Sequence, residues 1–211
     1  MAFFASTLAR WGYHVITPEI LHHDSRGKVE DPFNKEVQER YFWKTVIESV
    51  SDVIQLSDCL KDVFHDDSYD QVLLGSSMGG LIASGAFVQS NRFKGLIMIN
   101  GSGYWTGCED YFQQIGFKKS GWVEEIQNLN PIKHIASIHE RPILLLHGSN
   151  DHLIPPDTQR LFFEKAVDQY EDKEKIKFEL FPNVNHTTTL AMVEQSVIWL
   201  ETAFPQVRQK V

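Results

Sequence analysis

Short segments rich in apolar residues recur along the chain between polar turns, and this pattern predicts buried strands. Four such segments are too short for a helix, and each ends at a turn residue or a loop. These four are Tyr69–Leu74, Leu96–Ile99, Ile143–Leu146 and Ile176–Phe181. A fifth segment, Tyr13–Thr17, ends at Pro18 and predicts a further short strand.

Apolar positions at helical spacing lie between the predicted strands. The predicted helices cover Phe3–Arg10, about Asn34–Phe64, the turn after Gly75 through Gln89, the residues after Pro155-Pro156, and about Thr189–Phe204. Residues 22–34 predict a polar loop, and residues 101–134 an irregular aromatic segment. Because apolar strands alternate with helices, we expect an α/β fold whose mostly parallel sheet is covered on both faces. No repeat or flexible linker interrupts residues 1–211, which predicts a single domain.

The charge balance argues against nucleic acid as a partner. The 211 residues include 20 Lys+Arg and 28 Asp+Glu, a net charge of −8, whereas phosphate binding needs clustered basic residues. Apolar runs are far shorter than a membrane span, and the N-terminal residues lack the basic start of a signal peptide, so no membrane association or export is expected. Cys59 and Cys108 form no CxxC pair, which predicts no disulfide framework and a reducing, cytoplasmic location.

The strongest chemical signal is a G-x-S-x-G motif over Gly75–Gly79. It follows a predicted strand and opens a predicted helix, which is the setting of a nucleophile elbow. In such a turn the flanking glycines, here Gly75 and Gly79, allow strand and helix to approach, and the central Ser77 is exposed. The Met78 N–H at the helix start is then directed at a developing oxyanion. The sequence therefore predicts Ser77 as a nucleophile and Met78 as an oxyanion-hole donor.

A serine nucleophile needs a base and an acid, and the order of elements offers one of each. His186 follows the last predicted strand and is the candidate base. Asp151 follows the strand over Ile143–Leu146 and is the candidate acid. Asp157 is the alternative acid, although its position is typical of the first turn of a helix. This chain order, Ser…Asp…His, is the one expected when the serine lies on a nucleophile elbow.

Cofactor and metal signals are weak. His147 and His152 flank the acid loop, but no second histidine-rich segment accompanies them, so we expect no metal site. The sequence contains no P-loop and no G-x-G-x-x-G fingerprint, so we expect no bound nucleotide or dinucleotide cofactor.

With these motifs assembled, the chain resembles an α/β-hydrolase from about Phe3 to Phe204. It is most similar to the small bacterial carboxylesterases near the dienelactone hydrolase and prolyl oligopeptidase branches. The segments that carry this resemblance are Gly12-Tyr13, Thr17-Pro18-Glu19, His23…Ser25-Arg26, Gly75–Gly79, Gly101-Ser102-Gly103-Tyr104 and His147-Gly148…Asp151…Pro155. The resemblance implies the same triad, with Ser77 as nucleophile, Asp151 as acid and His186 as base.

The resemblance also predicts a truncation. In the family, the helix that resembles Phe3–Arg10 follows a central strand ending in a His-Gly loop, and this loop donates the second oxyanion N–H. This chain begins inside that helix. We therefore expect it to lack the N-terminal strands and to have weakened activity, because losing one oxyanion donor costs about 10²–10³ in rate.

The predicted function is cofactor-free hydrolysis of a small-molecule carboxylic ester through an acyl-enzyme. By analogy with the family topology, residues 101–134 line an acyl pocket or form a small cap, with Tyr104 and Trp105 as substrate contacts. Ordinary packing over the sheet is the alternative for these aromatic residues. Two other functions stay open: a catalytically impaired α/β-hydrolase scaffold, and an enzyme that cleaves thioesters or peptides.

Overall fold

The computed structural model describes residues 2–65 and 68–205. Residues 1, 66–67 and 206–211 of the predicted domain lie outside the described part. The helices are α1 (Ala2–Arg10), α2 (Lys35–Phe64), α3 (Met78–Gln89), α4 (Trp105–Gln114), α5 (Val123–Leu129), α6 (Pro156–Val167) and α7 (Leu190–Ala203). The strands are β1 (Gln71–Ser76), β2 (Phe93–Ile99), β3 (Ile143–Gly148) and β4 (Ile176–Phe181). None of the described helices is long and apolar enough to span a membrane.

The four strands form one parallel sheet in the order β1-β2-β3-β4. One face packs on an apolar cluster that includes side chains of α2, α3 and α6, and the other on a cluster that includes side chains of α1 and α7. Burial on both faces explains why β2 and β3 are nearly continuous apolar runs. This arrangement confirms the predicted α/β fold class.

The long helix α2 confirms its predicted boundaries. The Asn34 side chain caps the helix by accepting hydrogen bonds from the N–H groups of Glu36 and Val37. The helix ends at His65, whose φ of 52° is left-handed. Its buried face includes Trp43 and Val46 and supports the helix that follows the nucleophile turn.

Two predicted segments differ from the structure. Tyr13–Thr17 forms no strand and is largely exposed. A segment with a strand-like sequence becomes a strand only when its backbone pairs with a neighbouring strand. In the described sheet β1 is the edge strand and pairs with β2, and Tyr13–Thr17 is not part of the sheet. Residues 101–134, predicted to be irregular, contain α4, α5 and a 3₁₀ turn over Pro131–Lys133. Their aromatic side chains concealed the helices because several of them pack into the core.

The parallel topology brings four loops to one edge of the sheet. These loops follow the carboxyl ends of β1, β2, β3 and β4, where α/β folds place their ligand sites. Asn100, just after β2, links the loops: its Oδ1 accepts from the Gly148 N–H at 2.9 Å. This edge therefore carries Ser77, Asp151 and His186, each in a loop or turn after a strand.

Candidate active site

Ser77 occupies a strained turn between β1 and α3. Its backbone has φ 56° and ψ −126°, a conformation that non-glycine residues rarely adopt and that costs about 1–3 kcal/mol. The turn is held by the Ser77 N–H, which donates to the Ile99 carbonyl at 2.9 Å. Although Ser77 precedes α3, its side chain makes no capping hydrogen bond. The hydroxyl is therefore left for another partner.

Close backbone approach at the turn depends on Gly75. A Cβ at Gly75 would lie 2.1 Å from the Gly79 carbonyl oxygen, and one at Gly80 would lie 3.0 Å from the Gly101 Cα. A Cβ at Gly79 would meet nothing within 4 Å. The expected steric role of the motif therefore holds for Gly75 but is wrong for Gly79, and Gly80 takes the second close contact.

Gly75→Ala is expected to destabilise the protein by about 3 kcal/mol, because strand and helix must separate to admit the methyl group. Gly79→Ala is its matched control, and we expect it to be neutral or to stabilise the first turn of α3 by about 0.5–1 kcal/mol. Urea unfolding of both variants measures the difference. Equal midpoints would contradict the packing argument.

Asp151 lies in the loop after β3, with only 3% of its surface exposed. Its Oδ1 accepts hydrogen bonds from the backbone N–H groups of Leu153 at 2.9 Å and Ile154 at 3.0 Å. These two donors fix the carboxylate plane and leave Oδ2 for side chains. Asp157, the alternative acid, is exposed in the first turn of α6.

His186 joins the serine to the acid. Its Nδ1 lies 2.7 Å from Asp151 Oδ2, and its Nε2 lies 2.6 Å from Ser77 Oγ. Because a carboxylate only accepts hydrogen bonds, the Nδ1–H of His186 donates to Asp151. The unprotonated Nε2 of the neutral ring then accepts a hydrogen bond from the Ser77 hydroxyl. The structure thus brings together the three residues that the sequence nominated.

The acid and base loops are tied to each other by backbone contacts. The Asn150 N–H donates to the Val184 carbonyl at 2.8 Å, and the Ser149 hydroxyl accepts from the Asn183 N–H at 2.9 Å. A Cβ at Gly148 would lie 2.4 Å from the same Val184 oxygen, so the loops meet where a side chain cannot fit. This contact sets the distance between carboxylate and imidazole.

The site keeps Asp151 charged. Burial alone would raise the pKa of Asp151, but hydrogen bonds from His147, His186 and the Leu153 N–H outweigh burial and hold that pKa well below its usual range. The carboxylate is therefore ionised wherever the protein is folded near neutral pH. An ionised acid next to the imidazole stabilises the cation that forms when His186 takes a proton.

The remaining predicted site residues are Met78, Tyr104 and Trp105. Met78 is the first residue of α3, so its N–H lies at the helix start beside Ser77. Tyr104 is half-buried at the start of α4, with its ring against Gly107. Trp105 is completely buried, and its indole N–H donates to Ser84 Oγ at 3.4 Å. Trp105 is therefore no longer expected to contact a substrate, because its side chain has no exposed surface and packs in the core.

Residues 101–134 contact the acid loop directly. The Tyr111 hydroxyl donates to the His152 carbonyl at 2.8 Å. Cys108 is fully buried, and its thiol lies 3.6 Å from Thr158 Oγ1. Among the described residues, no group of three His, Cys, Asp or Glu side chains is placed to hold a metal ion.

Two polar residues behind the acid were missed as site components. His147 Nε2 lies 3.2 Å from Asp151 Oδ2, and Gln159 contacts the other ring nitrogen of His147. The sequence pattern gives His147 no role beside the acid. Its position at a strand end, four residues before the acid, was the available signal, whereas nothing in the sequence marks Gln159.

The chain is similar to several known proteins. Residues 3–206 match the profile of the prolyl oligopeptidase family, peptidase family S9. YitV of Bacillus subtilis (strain 168), provisionally named an esterase, is 26% identical over 94% of this chain and 81% of its own length. The esterase YjfP of Escherichia coli (strain K12) is 24% identical over 93% of this chain and 80% of its own length.

Solved structures show the same fold. TT1662 from Thermus thermophilus superposes with a TM-score of 0.71 at 19% identity, covering 88% of this chain and 74% of that protein. A puromycin-hydrolysing peptidase of Mycobacterium tuberculosis superposes with a TM-score of 0.59 at 22% identity. That alignment covers 74% of this chain but only 25% of the peptidase.

Proposed function

Because the chain belongs to the prolyl oligopeptidase family of hydrolases, we propose that it cleaves carboxylic esters with a Ser77–His186–Asp151 triad. The observation that carries the proposal is the unbroken hydrogen-bond chain from Ser77 Oγ through His186 to Asp151, with links of 2.6 and 2.7 Å. The strained Ser77 backbone is a second support, because such strain is concentrated at functional sites.

In the proposed reaction, Ser77 Oγ attacks the ester carbonyl while His186 Nε2 takes its proton. The Met78 N–H donates to the oxyanion of the tetrahedral intermediate. When the C–O bond breaks, His186 returns the proton to the leaving alcohol, and the acyl group stays on Ser77. A water molecule, deprotonated by His186, then attacks the acyl-enzyme and releases the carboxylic acid. Asp151 holds the imidazole in the required tautomer at each step.

Esters are favoured over peptides by the lengths of the relatives. The relatives named esterases match over most of their own length, 81% and 80%. The relatives named peptidases are much longer: this chain spans 21% of the uncharacterised peptidase YuxL of Bacillus subtilis (strain 168) and 25% of the puromycin-hydrolysing peptidase. A peptidase or thioesterase is the second candidate, and parallel assays of a short-chain ester, a thioester and a peptide amide distinguish them.

A fluorophosphonate probe, which reacts with activated serines, tests the proposal. We expect the purified chain to be labelled at Ser77, as located by peptide mass spectrometry, and the urea-denatured chain to remain unlabelled. A folded chain, shown by circular dichroism, that takes up no probe would overturn the proposal and support the catalytically inactive scaffold. Labelling at another serine would overturn the residue assignment.

The pH dependence of kcat/KM is expected to show one acidic limb. Activity should fall on acidification as His186 becomes protonated, because the imidazolium cannot accept the Ser77 proton. Asp151 adds no second limb above about pH 4, since its lowered pKa keeps it ionised there. Stopped-time assays of a short-chain ester between acid and neutral pH measure this. A limb with a slope of two, or activity that rises on acidification, would contradict the assignment.

A further inference from the structure

A second histidine lies directly behind the proposed acid. His147 is in β3, and its side chain is completely buried. Its Nε2 is 3.2 Å from Asp151 Oδ2, the same oxygen that His186 contacts at 2.7 Å. The reaction proposed above gives His147 no role. A buried titratable ring beside a catalytic carboxylate therefore needs its own explanation.

The proton on His147 Nδ1 follows from the orientation of Gln159. The Gln159 amide nitrogen donates to the Met98 carbonyl at 3.1 Å, so the amide oxygen faces His147 Nδ1. Turning the amide over would place its oxygen against the Met98 carbonyl, so that two acceptors would face each other. Nδ1 therefore carries a proton and donates it to Gln159.

The other ring nitrogen also faces only acceptors. His147 Nε2 lies 2.9 Å from the Ile154 carbonyl oxygen and 3.2 Å from Asp151 Oδ2. An unprotonated Nε2 would place its lone pair against two oxygen atoms inside the protein, where an unmatched polar group is costly. Nε2 therefore carries a proton as well, and a ring protonated at both nitrogens is an imidazolium cation.

We propose that His147 carries a proton on both ring nitrogens in the folded protein and is a positioning residue, a buried cation that holds Asp151 in place and offsets part of its charge. It keeps Oδ2 directed between two rings, while the backbone donors hold Oδ1. By offsetting the carboxylate, it makes His186 less ready to keep a proton, so that the base stays neutral and available. This kinetic consequence rests on the proposed function, whereas the protonation state does not.

The other groups around the pair leave this charge balance intact. From α4, Cys108 faces Asp151, but burial raises the pKa of its thiol to about 11, so it is neutral. From α6, the facing group is the neutral amide of Gln159. From the loop after β4, it is His186. The carboxylate thus lies between two imidazole rings, of which the proposal makes one a cation and the other the base that exchanges its proton.

Nitrogen-15 NMR of the labelled wild-type chain tests the protonation state without any assay of activity. Above the acidic limb of the activity profile, we expect both ring nitrogens of His147 to carry a proton and His186 to show one unprotonated nitrogen. Loss of the signals in His147→Gln assigns them. An unprotonated ring nitrogen on His147 near neutral pH would overturn the proposal, whatever the result of serine labelling.

The kinetic test compares His147→Gln with His152→Gln. Glutamine keeps a hydrogen-bond donor but removes the charge, and His152 is an exposed neighbour of the acid that serves as the matched control. We expect the acidic limb of kcat/KM to move upward by about one pH unit in His147→Gln and to stay in place in His152→Gln. A purely structural role would lower kcat without moving the limb, and an unmoved limb would overturn the proposal. If His147→Gln does not fold, the NMR measurement on the wild-type chain decides.

Discussion

Replacing Ser77 with alanine is expected to lower kcat for a short-chain ester by up to about 10⁶-fold. The hydroxyl is the only protein group in the proposed reaction that bonds to the acyl carbon, so no neighbouring side chain can substitute for it. His186→Ala is expected to cost about as much, because a serine hydroxyl without a base is a weak nucleophile. The double variant should be no slower than either single variant, since the two residues act as one unit.

Ser76 provides the control for this prediction. It is the residue before Ser77, and its hydroxyl lies 3.2 Å from Thr188 Oγ1 rather than from His186. Ser76→Ala should keep kcat within about tenfold of the wild-type value. If Ser76 were the nucleophile instead of Ser77, the Ser76→Ala variant would be inactive. Additive losses in Ser77→Ala and His186→Ala, measured with a continuous ester assay, would show that the two side chains do not work together.

The sequence was sufficient for the sheet core and for the three side chains that meet at its edge. Strands buried on both faces must be apolar throughout, so β2 and β3 were visible without any alignment. Their ends mark the loops that parallel topology brings to one edge. The order of Ser77, Asp151 and His186 along the chain then placed the three side chains together, as the structure finds them.

The ends of strands that depend on tertiary contacts were harder to predict from the sequence. The predicted strand over Tyr69–Leu74 is shifted to Gln71–Ser76, because Gly75 and Ser76 pair with Met98 and Ile99 of β2. Glycine and serine carry no strand signal of their own, so this extension exists only once the neighbour is present. The prediction for Tyr13–Thr17 is wrong for the converse reason, since this segment is not one of the four strands of the described sheet although its sequence suits a strand.

Polar positions behind the site were the hardest to predict. Analogy with the family topology predicts Trp105 as a substrate contact, yet its ring fills the space beside Gly85, where a Cβ would lie 2.7 Å from it. Gln159 looks like an ordinary residue of α6, yet its amide connects Met98 to His147. Neither role follows from residue type or spacing, because both depend on which elements pack together.

Asp151→Asn is expected to lower kcat by about 10⁴-fold while leaving the fold intact. The physical reason is the orientation of the new amide. The backbone N–H groups of Leu153 and Ile154 both donate to the Oδ1 position, so the amide oxygen must take that place. The amide nitrogen then occupies the Oδ2 position and donates to His186 Nδ1, while the His147 Nε2–H keeps the Ile154 carbonyl, at 2.9 Å, as its acceptor.

That reversed hydrogen bond gives His186 the wrong tautomer. With Nδ1 accepting, the ring proton lies on Nε2 and faces Ser77, so the base cannot take the hydroxyl proton. Asp157→Asn removes the same charge from the exposed first turn of α6 and should keep the wild-type kcat, with a stability loss below about 1 kcal/mol. Circular dichroism and kcat measured on both variants distinguish the two acids. Equal activity in Asp151→Asn and Asp157→Asn would remove Asp151 from the triad, because only a carboxylate at the Oδ2 position fixes the productive tautomer.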